Sequence, residues 1–274
     1  MAIISISRGT YTGGQTVAQC LAERLGYRCL SREELINEAT TSYGLPIEKF
    51  KEAMDKPPKF WERLINEREV YLNFFRAALS EHARKDNLVF HGHVGHLLLP
   101  RVSHVIRIRV IDSLDARIEI AMQQHGIDRA AAKNLVQKTD KERSEWVRFL
   151  WGIDWHEESL YDAVLNLSRL GVSGVCDLIA NMAQQEAFKL TAESTKAIED
   201  AALSNRVWTA LALDPSIGGT NLKVAANDGA VVITGTVELN EIIDMVISVA
   251  KQVEGVKSVR CDIRVNPPIY DIGL

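Results

Sequence analysis

A chain of 274 residues, 46% hydrophobic and 25% charged, is long enough for one sizeable domain and one small one and has an ordinary globular composition. Its net charge of -4 supplies no basic field that would point to nucleic acid or to an anionic membrane. Cys20, Cys29, Cys176 and Cys261 lack CxxC spacing and fit thiols of a reducing cytoplasm better than a disulfide frame or a zinc site, while no apolar run approaches the ~20 residues of a spanning helix and the first strand leaves no room for a signal peptide.

The chain opens on a short apolar run, residues 3–6, that breaks into Ser7-Arg8-Gly9-Thr10-Tyr11-Thr12-Gly13-Gly14-Gln15-Thr16 and then into an amphipathic helix carrying Val17, Leu21 and Leu25 at helical spacing, ended by Gly26. Strand, glycine-rich loop and helix make a phosphate-binding P-loop: glycines let backbone N–H groups turn inward, and the helix adds unpaired amides and its positive dipole end. As GxxxxGK[ST], the segment from Gly9 to Thr16 puts Gln15 at the lysine position and Thr16 at the magnesium hydroxyl. A second register, counted back from Gly26, puts Gly14 at the lysine position. Neither contains a lysine, and Arg8 is the nearest cation able to grip two phosphate oxygens. Phosphate binding is the favoured reading over a turn that merely joins strand to helix. On it Arg8, Gly9, Thr12, Gly13, Gly14, Gln15 and Thr16 are the nucleotide-binding candidates.

Further strands are expected at 27–30, 88–91, 104–110 and 163–167, separated by helical segments, as in an α/β fold with a parallel sheet. Residues 32–84 read as a long helical region interrupted at Pro57-Pro58. Within it Phe60, Trp61, Tyr71, Phe74 and Phe75 suggest base stacking, but Leu64, Tyr71, Phe75 and Leu79 lie near helical spacing and read mainly as packing. Ligands of such a sheet gather beyond the carboxyl ends of its strands, at loops 8–15, 92–96 and 112 onward. Arg107 and Arg109 alternate with Ile106, Ile108 and Val110, which a fully buried parallel strand does not tolerate. Either that strand has an open face or its charges are paired. His91, His93 and His96 have poor metal spacing and no nearby carboxylate, so no resident metal is expected and a satisfied polar loop is the main alternative.

Residues 190–199 are polar, helix-prone and without a core pattern, and read as a linker or connecting helix. Beyond them come a helix with Val207, Leu211 and Leu213, a strand with Leu222 and Val224, a tight turn at Asn227-Asp228-Gly229, and a partner strand with Val231 and Ile233. A helix with Ile242, Val246, Val249 and Val253 follows. The last strand turns Val259, Cys261, Ile263 and Val265 inward and Arg260, Asp262 and Arg264 outward.

Ile4-Ser5-Ile6-Ser7-Arg8, the Gly13-Gly14 pair and Leu21-Ala22-Glu23-Arg24-Leu25-Gly26 resemble the opening of the cytidylate kinase-like family, relatives of the nucleoside monophosphate kinases. Asp140-Lys141-Glu142-Arg143, Gly152-Ile153-Asp154-Trp155 and the stretch from Leu160 to Asn166 resemble its lid and last core strand. The resemblance runs to about residue 185 and implies a P-loop parallel sheet with flanking helices and a helical insertion, here 40–84, that covers an acceptor nucleotide. It implies ATP with Mg2+ as the donor, and members commonly lack the loop lysine. It places His93 where cytidylate kinases carry an arginine that reaches the acceptor phosphate. It likens Arg117 to an acceptor-facing arginine, against the alternative of a solvated helix-face residue. Asp140 and Arg143, on one helix face, become the catalytic pair that holds nucleotide and closes over the transferring phosphate, with Lys138 as a further catalytic candidate and Arg148 on the acceptor side. An exposed ion pair is the alternative for Asp140 and Arg143.

Residues 198–266, with the run from Asp228 to Gly235 and that from Val253 to Val259, resemble a small α+β BON domain, a family linked to membranes or ligand sensing that carries no catalytic set. The organisation read is thus a kinase-like domain over 1–187, a linker over 188–197, a BON domain over 198–266 and a tail over 267–274. Three functions compete: a cytoplasmic phosphotransferase with the BON domain as regulator or docking module, a nucleotide sensor without turnover, and an envelope-associated adaptor driven by the BON domain. The first is favoured. Its partners are nucleotide and a small acceptor, with a BON ligand or protein partner and a homodimer as further candidates.

Overall fold

The apolar opening becomes β1 (Ile3–Arg8) in a computed structural model that describes residues 2–55, 67–217 and 221–266. With β2 (Arg28–Ser31), β3 (Leu88–Gly92), β4 (Val105–Ile111) and β5 (Ala163–Asn166) it forms a wholly parallel sheet of order β2-β3-β1-β4-β5, which puts β1 at the centre. On one face Ile4, Ile6, Val89, Ile106, Ile108 and Val110 pack against α1 (Gly14–Leu25) and α8 (Leu167–Met182). The parallel register puts Ser5 between Phe90 and Arg107, and Ser7 between Gly92 and Arg109, on the other face.

That second face answers the question posed by the two arginines. Arg107 is buried, and its guanidinium donates to the carbonyls of Pro100 (2.6 Å), His96 (3.3 Å) and Val105 (3.3 Å). Arg109 donates to the His156 carbonyl at 2.9 Å and stacks over the Trp155 ring, 5.2 Å from its centroid. Both charges are therefore spent on carbonyls and rings, on a sheet face with polar residues at its centre.

The long helical region resolves into α2 (Arg32–Tyr43), α3 (Ile47–Asp55) and α4 (Glu67–Ala83). Ser31 starts α2 with a capping box, accepting from the Glu34 amide at 3.0 Å while Glu34 accepts from the Ser31 amide at 2.7 Å. Pro57, Pro58, Phe60, Trp61 and Leu64 lie outside the described residues. Phe74 and Phe75 are buried, and Tyr71 meets Phe50 edge-on at 5.3 Å, so these aromatics serve packing. After β3 comes the single turn α5 (Gly95–Leu98); after β4 come α6 (Leu114–His125) and α7 (Arg129–Trp151), capped by Ser113 and Asp128.

The chain divides into two compact units, Met1–Ser194 and Thr195–Leu274. α9 (Ala192–Leu213) already begins inside the stretch read as a linker, and Leu213 at its end is exposed rather than part of a core face. In the second unit β6 (Asn221–Asn227) and β7 (Ala230–Val237) form a hairpin whose turn residues Asp228 and Gly229 both have positive φ (50° and 82°), the two-residue turn that matches strand twist. α10 (Glu241–Gln252) then carries the chain across to β8 (Ser258–Val265), which pairs parallel to β7. Leu203, Val207, Leu211, Leu222, Val231, Ile233, Val246 and Ala250 form its core. Among the described residues no helix is long and apolar enough to cross a membrane.

Candidate functional site

Because every strand of the larger sheet is parallel, the chain leaves β1, β3 and β4 at the same edge, and the candidate residues collect there. Between β1 and α1 the loop turns through Tyr11 (φ 57°) and Gly13 (φ 68°), and a Cβ on Gly13 would stand 2.8 Å from Leu167 Cδ2. Gly14 is as tight, with a Cβ there 2.7 Å from Arg8 Cβ, so the loop folds back on the strand that delivers it. Thr12 is buried and its hydroxyl donates to the Gly9 carbonyl at 3.1 Å. α1 has Gly13 as its N-cap with no side-chain hydrogen bond and no acidic residue in its first turn, so an anion meets no competing acceptor at its leading amides. Gln15 and Thr16 are exposed on that turn.

Two arginines from different helices converge on Thr10. Arg117 of α6 donates through Nε to the Thr10 carbonyl at 2.7 Å, and Arg143 of α7 through Nη1 to the Thr10 hydroxyl at 3.1 Å. Asp140 grips the Arg117 Nη2 with both carboxylate oxygens at 2.7 Å. Asp140 and Arg143 thus share a helix face but serve different partners, one orienting an arginine and the other reaching the loop directly. The same loop is pinned by Tyr11, whose hydroxyl lies 2.7 Å from His125 Nε2 at the end of α6.

Arg8 is held by Glu33, both carboxylate oxygens standing 2.9 Å from its Nη2. Burial works against the Glu33 carboxylate, yet Arg8, with Arg32 and His91 behind it, holds its pKa below the usual range. His91 is pushed down to about 4 by burial and by Arg8. His93, closed in by the rings of Trp155 (4.9 Å) and Trp146 (5.6 Å), is held well below its ordinary value by burial and then by the Arg143 and Arg32 cations. Whatever His93 offers an acceptor, it offers as a neutral imidazole. His96 is pushed down to about 3 by burial and by Arg107, Arg101 and Arg109. Ser5 Oγ, His93 Nε2, both His96 ring nitrogens and Trp155 Nε1 are buried without a protein partner, a concentration of unsatisfied polar atoms on one sheet face.

The structure therefore brings Arg8, Gly9, Thr12, Gly13, Gly14, Arg117, Asp140 and Arg143 to the loop, and sets His93 near Arg143. It does not bring Lys138 and Arg148 there: Lys138 stands in solvent 3.9 Å from Glu142, and Arg148 is exposed further along α7. Thr10 and Glu33 are the residues that the sequence reading passed over. Glu33 had a signal, since it lies in the first turn after the capping Ser31 at the end of β2, while Glu34 rather than Glu33 completes the capping box.

The model of the cytidylate kinase-like family matches residues 3–169, and that of the BON domain matches residues 199–267. The chain is 27% identical over 184 residues to a cytidylate kinase of Ignicoccus hospitalis, covering 66% of this chain and 99% of that one. It is 23% identical over 182 residues to a cytidylate kinase of Methanocaldococcus jannaschii, covering 65% and 96%. Among solved structures, an uncharacterized protein from Eubacterium ventriosum superposes with a TM-score of 0.52 at 22% identity, over 66% of this chain and 97% of that one, a likeness of fold.

Proposed function

The chain belongs to the cytidylate kinase-like family, and from that premise we propose that its first unit transfers a phosphoryl group from ATP to a nucleotide of cytidylate type or another small acceptor. The observation that carries this reading is the convergence of Arg117 and Arg143, from two helices, on Thr10 of the glycine-rich loop. Phosphoryl transfer is mostly positioning and charge neutralisation, and a loop with uncapped amides on one side and two guanidiniums on the other supplies both. In this reading the amides of Gly13 and Gly14 cradle phosphate, Arg8 exchanges Glu33 for phosphate oxygens, and Arg143 bears on the transferring group. Asp140 keeps Arg117 aimed. Magnesium, arriving with the nucleotide, would neutralise phosphate charge and meet the Thr16 hydroxyl on the first turn of α1. The acceptor approaches past His93, residues 188–197 connect the domains, and the BON domain serves as a regulatory or docking module in a cytoplasmic protein.

One observation favours a second reading, a nucleotide sensor without turnover. The loop has no lysine, and the arginine that directly precedes it in sequence, Arg8, is held by Glu33. A coupled ADP-release assay of the purified full chain, with ATP, magnesium and a panel of nucleoside monophosphates, separates the two. Acceptor-dependent release supports the transferase. A rise in Tm with ATP but no release with any acceptor transfers the assignment to the sensor, and no rise in Tm at millimolar ATP, ADP or CTP overturns nucleotide binding itself.

A further inference from the structure

Outside the phosphate site, the packing of α1 on α8 places two thiols face to face. Cys20 lies beside the buried face of α1, next to Leu21, and its Sγ stands 2.7 Å from the Sγ of Cys176 on α8, closer than van der Waals contact between unbonded sulfurs. The approach is fixed by the core rather than by the thiols: Val17, Ala18, Leu21 and Ala22 of α1 and Val175, Ile179 and Ala180 of α8 belong to one buried cluster. One turn along, Arg24 and Asp177 form an ion pair across the same two helices. Both cysteines are free thiols, Cys20 half-buried and Cys176 fully buried.

We propose that Cys20 and Cys176 form a reversible disulfide when the protein meets hydrogen peroxide, tying the helix of the glycine-rich loop to the helix that follows the last strand of the sheet. The half-buried Cys20 is the sulfur that a small oxidant reaches first. Its thiolate attacks the peroxide, the O–O bond breaks, and Cys20 becomes a sulfenic acid with release of hydroxide. The Cys176 sulfur then attacks that sulfenic sulfur, and the S–S bond forms as water leaves. Two thiols thus give two electrons to one peroxide and end as a disulfide and two waters. The Cys176 thiol, pushed up to about 12 by burial and by Cys20 beside it, leaves the first attack on the peroxide to Cys20. The consequence reaches the phosphate loop, because Leu167 at the start of α8 closes over Gly13 at the start of α1. A bond between residues 156 positions apart also removes much of the unfolded chain's freedom.

The test uses the reduced full chain, treated with hydrogen peroxide, blocked with a maleimide and mapped by mass spectrometry of its peptides. The expected result is a linked pair of peptides containing Cys20 and Cys176, lacking two hydrogens, dissolved by dithiothreitol, and accompanied by a rise in Tm. Cys29→Ser and Cys261→Ser keep the link, and Cys20→Ser and Cys176→Ser each lose it. Full maleimide labelling of Cys20 and Cys176 after peroxide overturns the proposal. So does a link through Cys29 or Cys261, or Cys20 carried to sulfinic acid while Cys176 stays free. The wild-type map decides even where a serine variant fails to fold. It reads a covalent bond, so its outcome is independent of whether the first unit transfers phosphate.

Discussion

The two units of the chain bury different kinds of residue. In the first, Ser5, Ser7, His91, His93, His96 and Arg107 lie buried in and just beyond the strands of the parallel sheet. In the second, among the described residues, Thr209 is the only polar side chain that is buried, and the rest of the core is aliphatic. A buried donor or acceptor without a partner costs about 1–3 kcal/mol, so a unit that keeps several of them on and beside its parallel sheet is not arranged for stability alone. The second unit carries less of this cost, with the Thr209 hydroxyl buried without a hydrogen-bond partner, and has the form of a scaffold for its surface. Chemistry is thus expected at the strand ends of the first unit, and binding on the exterior of the second.

Acid breaks this comparison most strongly. All 7 histidines precede residue 195. His91, His93 and His96 have folded pKa values depressed to about 4, well below the ordinary value, and about 3 respectively. An unfolded histidine takes up its proton near pH ~6.5, whereas the folded one refuses it until its own lower pKa is reached. The folded state therefore binds fewer protons, and the stability of the first unit falls as pH falls through that window, by about 1.4 kcal/mol per pH unit for each such histidine. In the second unit the shifted carboxylates Asp214 and Asp228 are depressed by hydrogen bonds from Ser216 and from Lys257, so their contribution is present at neutral pH and is lost only below about pH 4. Thermal unfolding followed by circular dichroism at falling pH should show the first unit's transition dropping while the second's holds. Two transitions that drop in parallel would falsify the assignment of acid sensitivity to the buried histidines.

Next in size is the aromatic wall around His93. Trp146 is buried, donates its indole N–H to the Ala53 carbonyl at 2.8 Å, and meets the rings of His93 and Trp151. Trp146→Ala should cost the first unit about 3–5 kcal/mol, read as a lowered denaturant midpoint with the second unit's transition in place. A small loss would mean that α3 and α7 hold together without this ring.

Arg143→Ala addresses chemistry rather than folding. Its guanidinium reaches Thr10 and bears electrostatically on both Tyr11 and His93. If it neutralises charge on a transferring phosphate, kcat should fall on the order of 100-fold with little change in nucleotide affinity. Lys138→Ala, in solvent, should leave kcat nearly unchanged. Equal kcat in wild type and Arg143→Ala would reduce the Thr10 contact to a structural clasp.

Much of this was legible in the sequence, and the parts that were not have a common cause. Period-two and helical spacings located the five parallel strands and the C-terminal hairpin because each follows from local backbone geometry. The partners of Asp140 were not local. Spacing of three residues put it on one face with Arg143, but its actual partner, Arg117, is 23 residues away and is chosen by how α6 packs on α7. Glu33 was overlooked for the same reason: only the parallel order of β2, β3 and β1 carries it to the strand edge where Arg8 emerges. The two arginines of β4 looked anomalous because sequence cannot show which carbonyls a bend such as that at Pro100 turns toward a strand.

The smallest expected effect tests the second unit. Ile233 is fully buried at the middle of β7, level with Val224 of β6 and Cys261 of β8. Ile233→Val removes one methylene from an aliphatic cluster, and such a deletion costs about 1 kcal/mol. For a unit of this size that is a fall in Tm of about 4–8 °C. Because the two units bury separate clusters, the first unit's transition and the rate of ADP release should stay where they are. If the substitution also lowers the first unit's transition, the two cores are energetically coupled and the contrast between a reactive unit and an inert one gives way to a single cooperative fold. If only ADP release changes, with both transitions fixed, the second unit acts on the phosphate loop through its conformation, which is what a regulatory module requires and a passive docking surface does not.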